Sequence, residues 1–340
     1  MIRNQFHLGY VDLSWILSRN CFAISAREEK YDASDVVTMT IQTLAKFSNS
    51  LGLTCDKLLL FRDTWDPELK GYIRTHMLKE AGAPVGYKGD RKYMTEWLFE
   101  EIKSDPNSTE EDIKKAEKEL HFNKVKNESK NILINELGRF GLSTIGVPGY
   151  EFDDLATIAS HLLYNAEKPS VIITKDSDLL YSTSPKCAVW QPPLSSKPPK
   201  LITYDEAYND LLPDRFKGKL SLYQYFGLSN ATGAIGHNNM SRTLKDGKNI
   251  DDALEKAMGG DYSDFSDPEL FKAQYKSFDV WNFPRIDEVK TIITEQLHKV
   301  GHLGSVSEFK EFCNRHRIHK ISDRYYTEFI NKFDPKLFCE

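Results

Sequence analysis

Four short apolar runs, each leading into carboxylates, constrain this chain more than any other feature. The first lies around Leu8 to Leu13 and delivers Asp12; the second, DKLLLFRD with Leu58 to Phe61 at its centre, delivers Asp63. A weaker run near Leu142 to Val147 precedes GYEFDD, and VIITKDSD, led by Val171 to Ile173, delivers Asp176 and Asp178. Runs this short and continuous, rather than alternating, suit strands covered on both faces. Helical patterns fall between them. SDVVTMTIQTLAKFSNSLG reads as a helix from Ser34 closed by Gly52, and STEEDIKKAEKEL has capping-box spacing at Ser108 and Glu111. FDDLATIASHLLYNA begins at the acids and carries an apolar stripe. This order predicts an open, mostly parallel α/β sheet flanked by helices. Such sheets place ligands beyond the carboxyl ends of their strands, so the acids are expected to converge on one edge.

A chain of 340 residues can bury a substantial core. Its formal net charge of -5 argues against coating nucleic acid through bulk positive charge, yet local basic patches can still bind phosphate while acids gather around metal. The five cysteines are scattered without zinc-type spacing, which predicts reduced thiols in the cytoplasm. No signal-like apolar run or stretch of 18 apolar residues is present, so neither export nor a membrane partner is expected. After about residue 182 the pattern changes. Pro192, Pro193 and SSKPPK mark an irregular connection, and the remainder, including LITYDEAYNDLL, KTIITEQLHKV and SVSEFKEFCNRHRI, reads as mostly helical.

In GYEFDDLA, Glu151 sits at the mouth of a helix whose first turn carries Asp153 and Asp154. Like charges this close resist sharing a small, partly dehydrated site unless cations compensate them. Magnesium or manganese, one or two ions, would do so with hard oxygen ligands. The bland alternative is an acid-rich helix start favoured by the helix macrodipole. Asp12, Asp63, Glu151, Asp153, Asp154, Asp176 and Asp178 form the candidate metal set. Metal there could activate water and stabilise charge on a transferring phosphoryl group. Cations lie between the second and third acid regions: Arg74 in GYIRTHML, then Lys88 and Arg91 in GYKGDRKY, with Tyr72, Tyr87 and Tyr93 as stacking surfaces for unpaired bases. A nucleotide-binding fold is disfavoured, because the glycines near GLSNATGAIG follow no N-terminal strand and no Walker loop occurs.

These blocks, in order over roughly residues 10 to 180, resemble the flap-endonuclease/5′-exonuclease family, particularly its bacteriophage ribonuclease H-like branch. Asp12 and Asp63 with Arg74 match its first blocks, YKGDR is similar to YKxxR, GYEFDD resembles GxEADD with Phe152 where alanine is usual, and TKDSD matches the next strand. The resemblance implies a PIN-like or resolvase-like core over residues 1–190, with a helical arch insertion at about 65–135, and a mainly helical DNA-binding region over 200–340. It implies a metal-dependent, structure-selective 5′ nuclease that removes flaps or RNA primers in replication or repair. The implied partners are branched, nicked or flapped duplex DNA, RNA–DNA hybrid and replication proteins, with the enzyme a monomer in the host cytoplasm. Lys88, Arg91, Asp153 and Asp176 take the catalytic roles by this resemblance, and Arg74, Lys88 and Arg91 bind the nucleic acid. One block departs: where the family carries GDxxDN this chain has GAIGHN, so Ala234 and His237 replace two acids. Two other readings stay open at this point, a PIN-like ribonuclease and a catalytically weak DNA-junction-binding protein.

Overall fold

The computed structural model describes residues 6–28, 30–53, 57–63, 76, 78–80, 94–140, 142–193, 198–231, 244–283, 285–298 and 306–318. Two compact units share the chain: one comprises residues 1–62, 91–145 and 298–340, the other 63–90 and 146–297.

The first unit is built on three parallel strands in the order β3-β2-β1: β1 (Leu8–Asp12), β2 (Leu58–Phe61) and β3 (Ser143–Ile145). All four residues of β2 are buried, which is why its sequence is continuously apolar. Tyr10 and Phe61 meet edge-on across the pair, 5.4 Å between ring centres. Helix α1 (Leu13–Ser25) starts without a linker because Asp12 ends the strand and caps the helix, its Oδ1 accepting from the Trp15 amide at 3.0 Å. Helix α2 (Ala33–Leu51) lies against it, tied by a buried hydrogen bond from Asn20 to Thr40 Oγ1. The cap of α2 is Asp32 in a capping box with Asp35, not Ser34, and Gly52 ends the helix in the left-handed region as expected.

The insertion contributes α3 (Glu96–Ser104) and α4 (Glu110–Glu136). The α4 capping box is Thr109 with Asp112, one residue later than expected. Helix α4 packs on α1 and α2 rather than standing clear of the core. Leu133 is fully buried, Phe122 meets Phe22 at 4.6 Å, and His121 Nε2 lies 3.0 Å from the Tyr31 carbonyl oxygen. The chain then turns through Leu137–Arg139, where Phe140 is sandwiched with Phe309 and Phe312 of α11 (Val306–Arg315).

The second unit begins its regular structure with α5 (Phe152–Asn165), followed by β4 (Ser170–Ile173) and a 3₁₀ turn at Asp178–Ser182. Two strands that the sequence reading passed over come next: β5 (Cys187–Gln191), parallel to β4, and β6 (Lys200–Ile202), antiparallel to β5. Helices α6 (Tyr204–Leu211), α7 (Leu222–Ala231), α8 (Ile250–Met258), α9 (Pro268–Phe278) and α10 (Ile286–His298) make the C-terminal part mainly helical, as expected. Phe216, Leu222, Leu228, Leu254 and Phe271 anchor their core. The fold class is therefore the expected one, α/β with mostly parallel strands flanked by helices and a helical insertion. No described helix is long and apolar enough to cross a membrane.

Candidate metal and phosphodiester site

The N-terminus of α5 gathers carboxylates in the second unit. Asp63, just beyond the end of β2, accepts a hydrogen bond at Oδ1 from the Phe152 amide, 3.2 Å away. The adjacent Glu151 amide donates to Asp154 Oδ2 at 2.9 Å. Two consecutive amides of one helix start therefore hold two carboxylates from segments 91 residues apart in sequence (154 minus 63). The side chains are deeply placed: Asp154 is 1% exposed, Glu151 3% and Asp63 9%. Asp153 is half-buried, and its carbonyl accepts from the Thr157 hydroxyl at 2.7 Å. A buried carboxylate keeps its charge only where hydrogen bonds, a helix N-terminus or a cation compensate it. The neighbouring Tyr150 senses this charge. Burial, and next the negative Asp154, push its phenol up to about 12.

At the end of β4 the D-x-D is exposed and shaped by a residue the sequence reading passed over. The buried Thr174 accepts at Oγ1 from the Asp176 amide at 3.0 Å, and Asp176 Oδ1 in turn accepts from the Asp178 amide at 3.0 Å. The T-x-D-x-D spacing is the signal that could have marked it, since Ser, Thr and Asp side chains commonly bond amides two residues on. Asp12 lies in the first unit, where it caps α1. Arg74, Lys88 and Arg91, with Tyr72, Tyr87 and Tyr93, lie outside the described residues, as do Ala234 and His237 of GAIGHN.

Among the described residues, no three His, Cys, Asp or Glu side chains stand together as a metal-holding group. The donor chemistry nonetheless suits a hard divalent cation. Asp63, Glu151 and Asp154 offer only carboxylate oxygens, and each carboxylate that accepts one amide retains further lone pairs for a cation.

No protein family model matches the chain, and no curated protein does. Solved structures do match in fold. The T5 D15 protein crystallised with metal ions is 14% identical, with a TM-score of 0.51 over 86% of this chain and 99% of that one. The bacteriophage T5 D15 flap endonuclease, as a pseudo-enzyme–product complex with DNA and metal ions, has a TM-score of 0.50 at 14% identity and the same coverage. The chain thus has the fold of these flap-endonuclease structures.

Proposed function

We propose that this chain is a metal-dependent, structure-selective 5′ nuclease that cuts branched, nicked or flapped duplex DNA and removes flaps or RNA primers. The observation that carries the reading is that consecutive amides at the start of α5 hold two buried carboxylates, Asp63 and Asp154, with the buried Glu151 at the N-cap, in a chain with a flap-endonuclease fold. By the family pattern, Asp12, Asp63, Glu151, Asp153, Asp154, Asp176 and Asp178 would hold Mg2+ or Mn2+, one or two ions. When bound, such ions supply Lewis-acid polarisation of the scissile phosphate and lower the pKa of the attacking water. The chain's own part is positional. The α5 amides fix the orientation of Asp63 and Asp154, and the Thr174 hydroxyl fixes the turn that carries Asp176 and Asp178. Lys88 and Arg91 steer the scissile phosphate and Arg74 holds the strand. Residues 1–190 form the nuclease core with its arch at about 65–135, and 200–340 bind the duplex.

A 5′-labelled flap duplex, titrated with Mg2+ and Mn2+, tests this. The expected result is metal-dependent cleavage at the junction that falls by roughly a hundredfold or more in Asp153→Asn and Asp176→Asn. Unchanged cleavage in both variants overturns the site assignment. The substitutions at Ala234 and His237 favour one other reading, a catalytically weak junction-binding protein. Tight junction binding without cleavage sensitive to either variant would establish that reading instead, and preferential cutting of single-stranded RNA would establish a ribonuclease.

A further inference from the structure

The second unit contains a cavity of about 540 Å³ that the carboxylate chemistry does not use. Its size lies within the range of small-molecule sites, roughly 300 to 1,000 Å³. The walls are aromatic. His161 and Trp281 lie 4.8 Å apart at one side, Tyr181 stacks on Phe226 at 4.7 Å on another, and Tyr164 stands at the rim with 40% of its surface exposed. Hydroxyls line it as well: Thr157 Oγ1 and Ser182 Oγ are 2.8 Å apart, and the buried hydroxyl of Ser184 has no hydrogen-bond partner among the described residues. Among the described residues Asp279 is the acid of the lining, and no lysine or arginine is part of it. Burial, and then the nearby Lys290, hold the His161 imidazole below its ordinary value of 6.5, so it is neutral at neutral pH. The one cation these contacts bring near, Lys290, stands behind the wall with its Nζ 5.7 Å from the Trp281 ring centre, so the lining itself offers an anionic group no direct ion pair. A flat, uncharged heterocycle with N–H donors finds rings to stack on, hydroxyls to bond and a carboxylate acceptor.

The cavity also adjoins the carboxylates along the chain. Thr157 lies one helical turn beyond Asp153, about 6 Å along the axis, and its hydroxyl bonds the Asp153 carbonyl. The 3₁₀ turn that starts at Asp178 runs directly to Tyr181 and Ser182. Two of the three acid-bearing segments of this unit therefore continue into the cavity wall. We propose that the cavity is a nucleobase site that takes one unpaired base of the strand whose backbone lies at the carboxylates. The origin of the base rests on the nuclease reading; the preference for a neutral heterocycle does not.

The test uses 2-aminopurine fluorescence with the full chain in EDTA, in three arms: the free 2-aminopurine riboside, flap DNA carrying one 2-aminopurine at successive positions around the junction, and the same DNA with an abasic residue. The expected result is quenching at one position beside the junction. Affinity should fall roughly fivefold or more when that base is removed or when Tyr164→Ala removes the rim ring, and Tyr164→Phe should retain it. Tyr164 is exposed enough that its truncation leaves the fold intact. Binding of the riboside alone, lost in Tyr164→Ala, would keep the base site and overturn its strand origin. If flap DNA is cut in the separate Mg2+ titration but in EDTA no position is quenched and Tyr164→Ala changes nothing, the base site falls while the nuclease reading stands. If DNA is neither bound nor cut but the riboside is bound, the nuclease reading fails alone.

Discussion

Replacing Asp154 by asparagine separates a carboxylate kept for the fold from one kept for a cation. The Glu151 and Phe152 amides are consecutive, so the carboxylates they hold, Asp154 and Asp63, lie within about 9 Å of one another. At an effective dielectric near 20, like charges roughly 7 Å apart repel by about 2 kcal/mol. Asparagine keeps an oxygen for the Glu151 amide but exchanges a charge-assisted bond for a neutral one, at a cost of about 1 kcal/mol, and forgoes some favourable interaction with the helix N-terminus. The balance predicts that in chelator Asp154→Asn is between unchanged and about 1 kcal/mol more stable than wild type, a melting rise of up to roughly 1.5 °C for a chain of 340 residues.

Divalent metal should reverse that order. A cation that binds only the folded state stabilises it by about 2.7 kcal/mol at a hundred times its dissociation constant. Wild type should gain this in Mg2+ or Mn2+ while Asp154→Asn gains far less, so the two melting curves change places. The assay is thermal or urea unfolding in EDTA and across a metal titration. A loss of more than about 1 kcal/mol in Asp154→Asn in EDTA would refute the reasoning, because it would show that the protein's own groups already compensate the charge.

Leu133→Ala should cost about 2 to 5 kcal/mol in urea unfolding, because the side chain is fully buried where α4 packs on the core; a loss below 1 kcal/mol would mean that α4 is not docked there. Burial raises the thiols of Cys187 to about 12 and Cys21 to about 11, so alkylation read by mass spectrometry should spare both in the native protein and modify them in denaturant; fast native modification of Cys187 contradicts the fold of β5. The folded value of His161 is depressed below 6.5, so its contribution to stability is present above that pH and is lost as pH falls through the folded value. His161→Gln should accordingly lose less stability on acidification than wild type, and parallel acid limbs for the two proteins would exclude this.

Strands β1, β2 and β4 were legible because both of their faces are covered, which leaves unbroken apolar runs. The caps were displaced by one or two residues for a physical reason. Asp32 and Asp35 make a reciprocal pair that a cap at Ser34 could not, since Val37 would stand at its third position, and Ser34 spends its hydroxyl on the Arg317 carbonyl, 283 positions away, which no local pattern records. Strand β6 buries only Ile202 of its three residues, so its pairing with β5 rather than its own composition makes it a strand. The aromatic cavity was illegible for a related reason. Its wall runs from Thr157 to Trp281, and no period in the sequence links residues brought together only by tertiary packing.

The start of α5 shows why capping and cation binding are not rival explanations of its acids. An ionised carboxylate has about four acceptor positions, so an amide bond taken by Asp63 or Asp154 leaves room for a cation. What the amide removes is freedom of rotation, and ligands fixed by such bonds are held ready rather than recruited. Phe152 fits the same argument. A large ring stands where the resembling family carries alanine, yet it is 1% exposed at the first position of the helix. The core absorbs the added bulk, while its backbone amide still reaches Asp63. Substitution at this position therefore changes packing beneath the carboxylates and leaves intact the backbone contact that orients them.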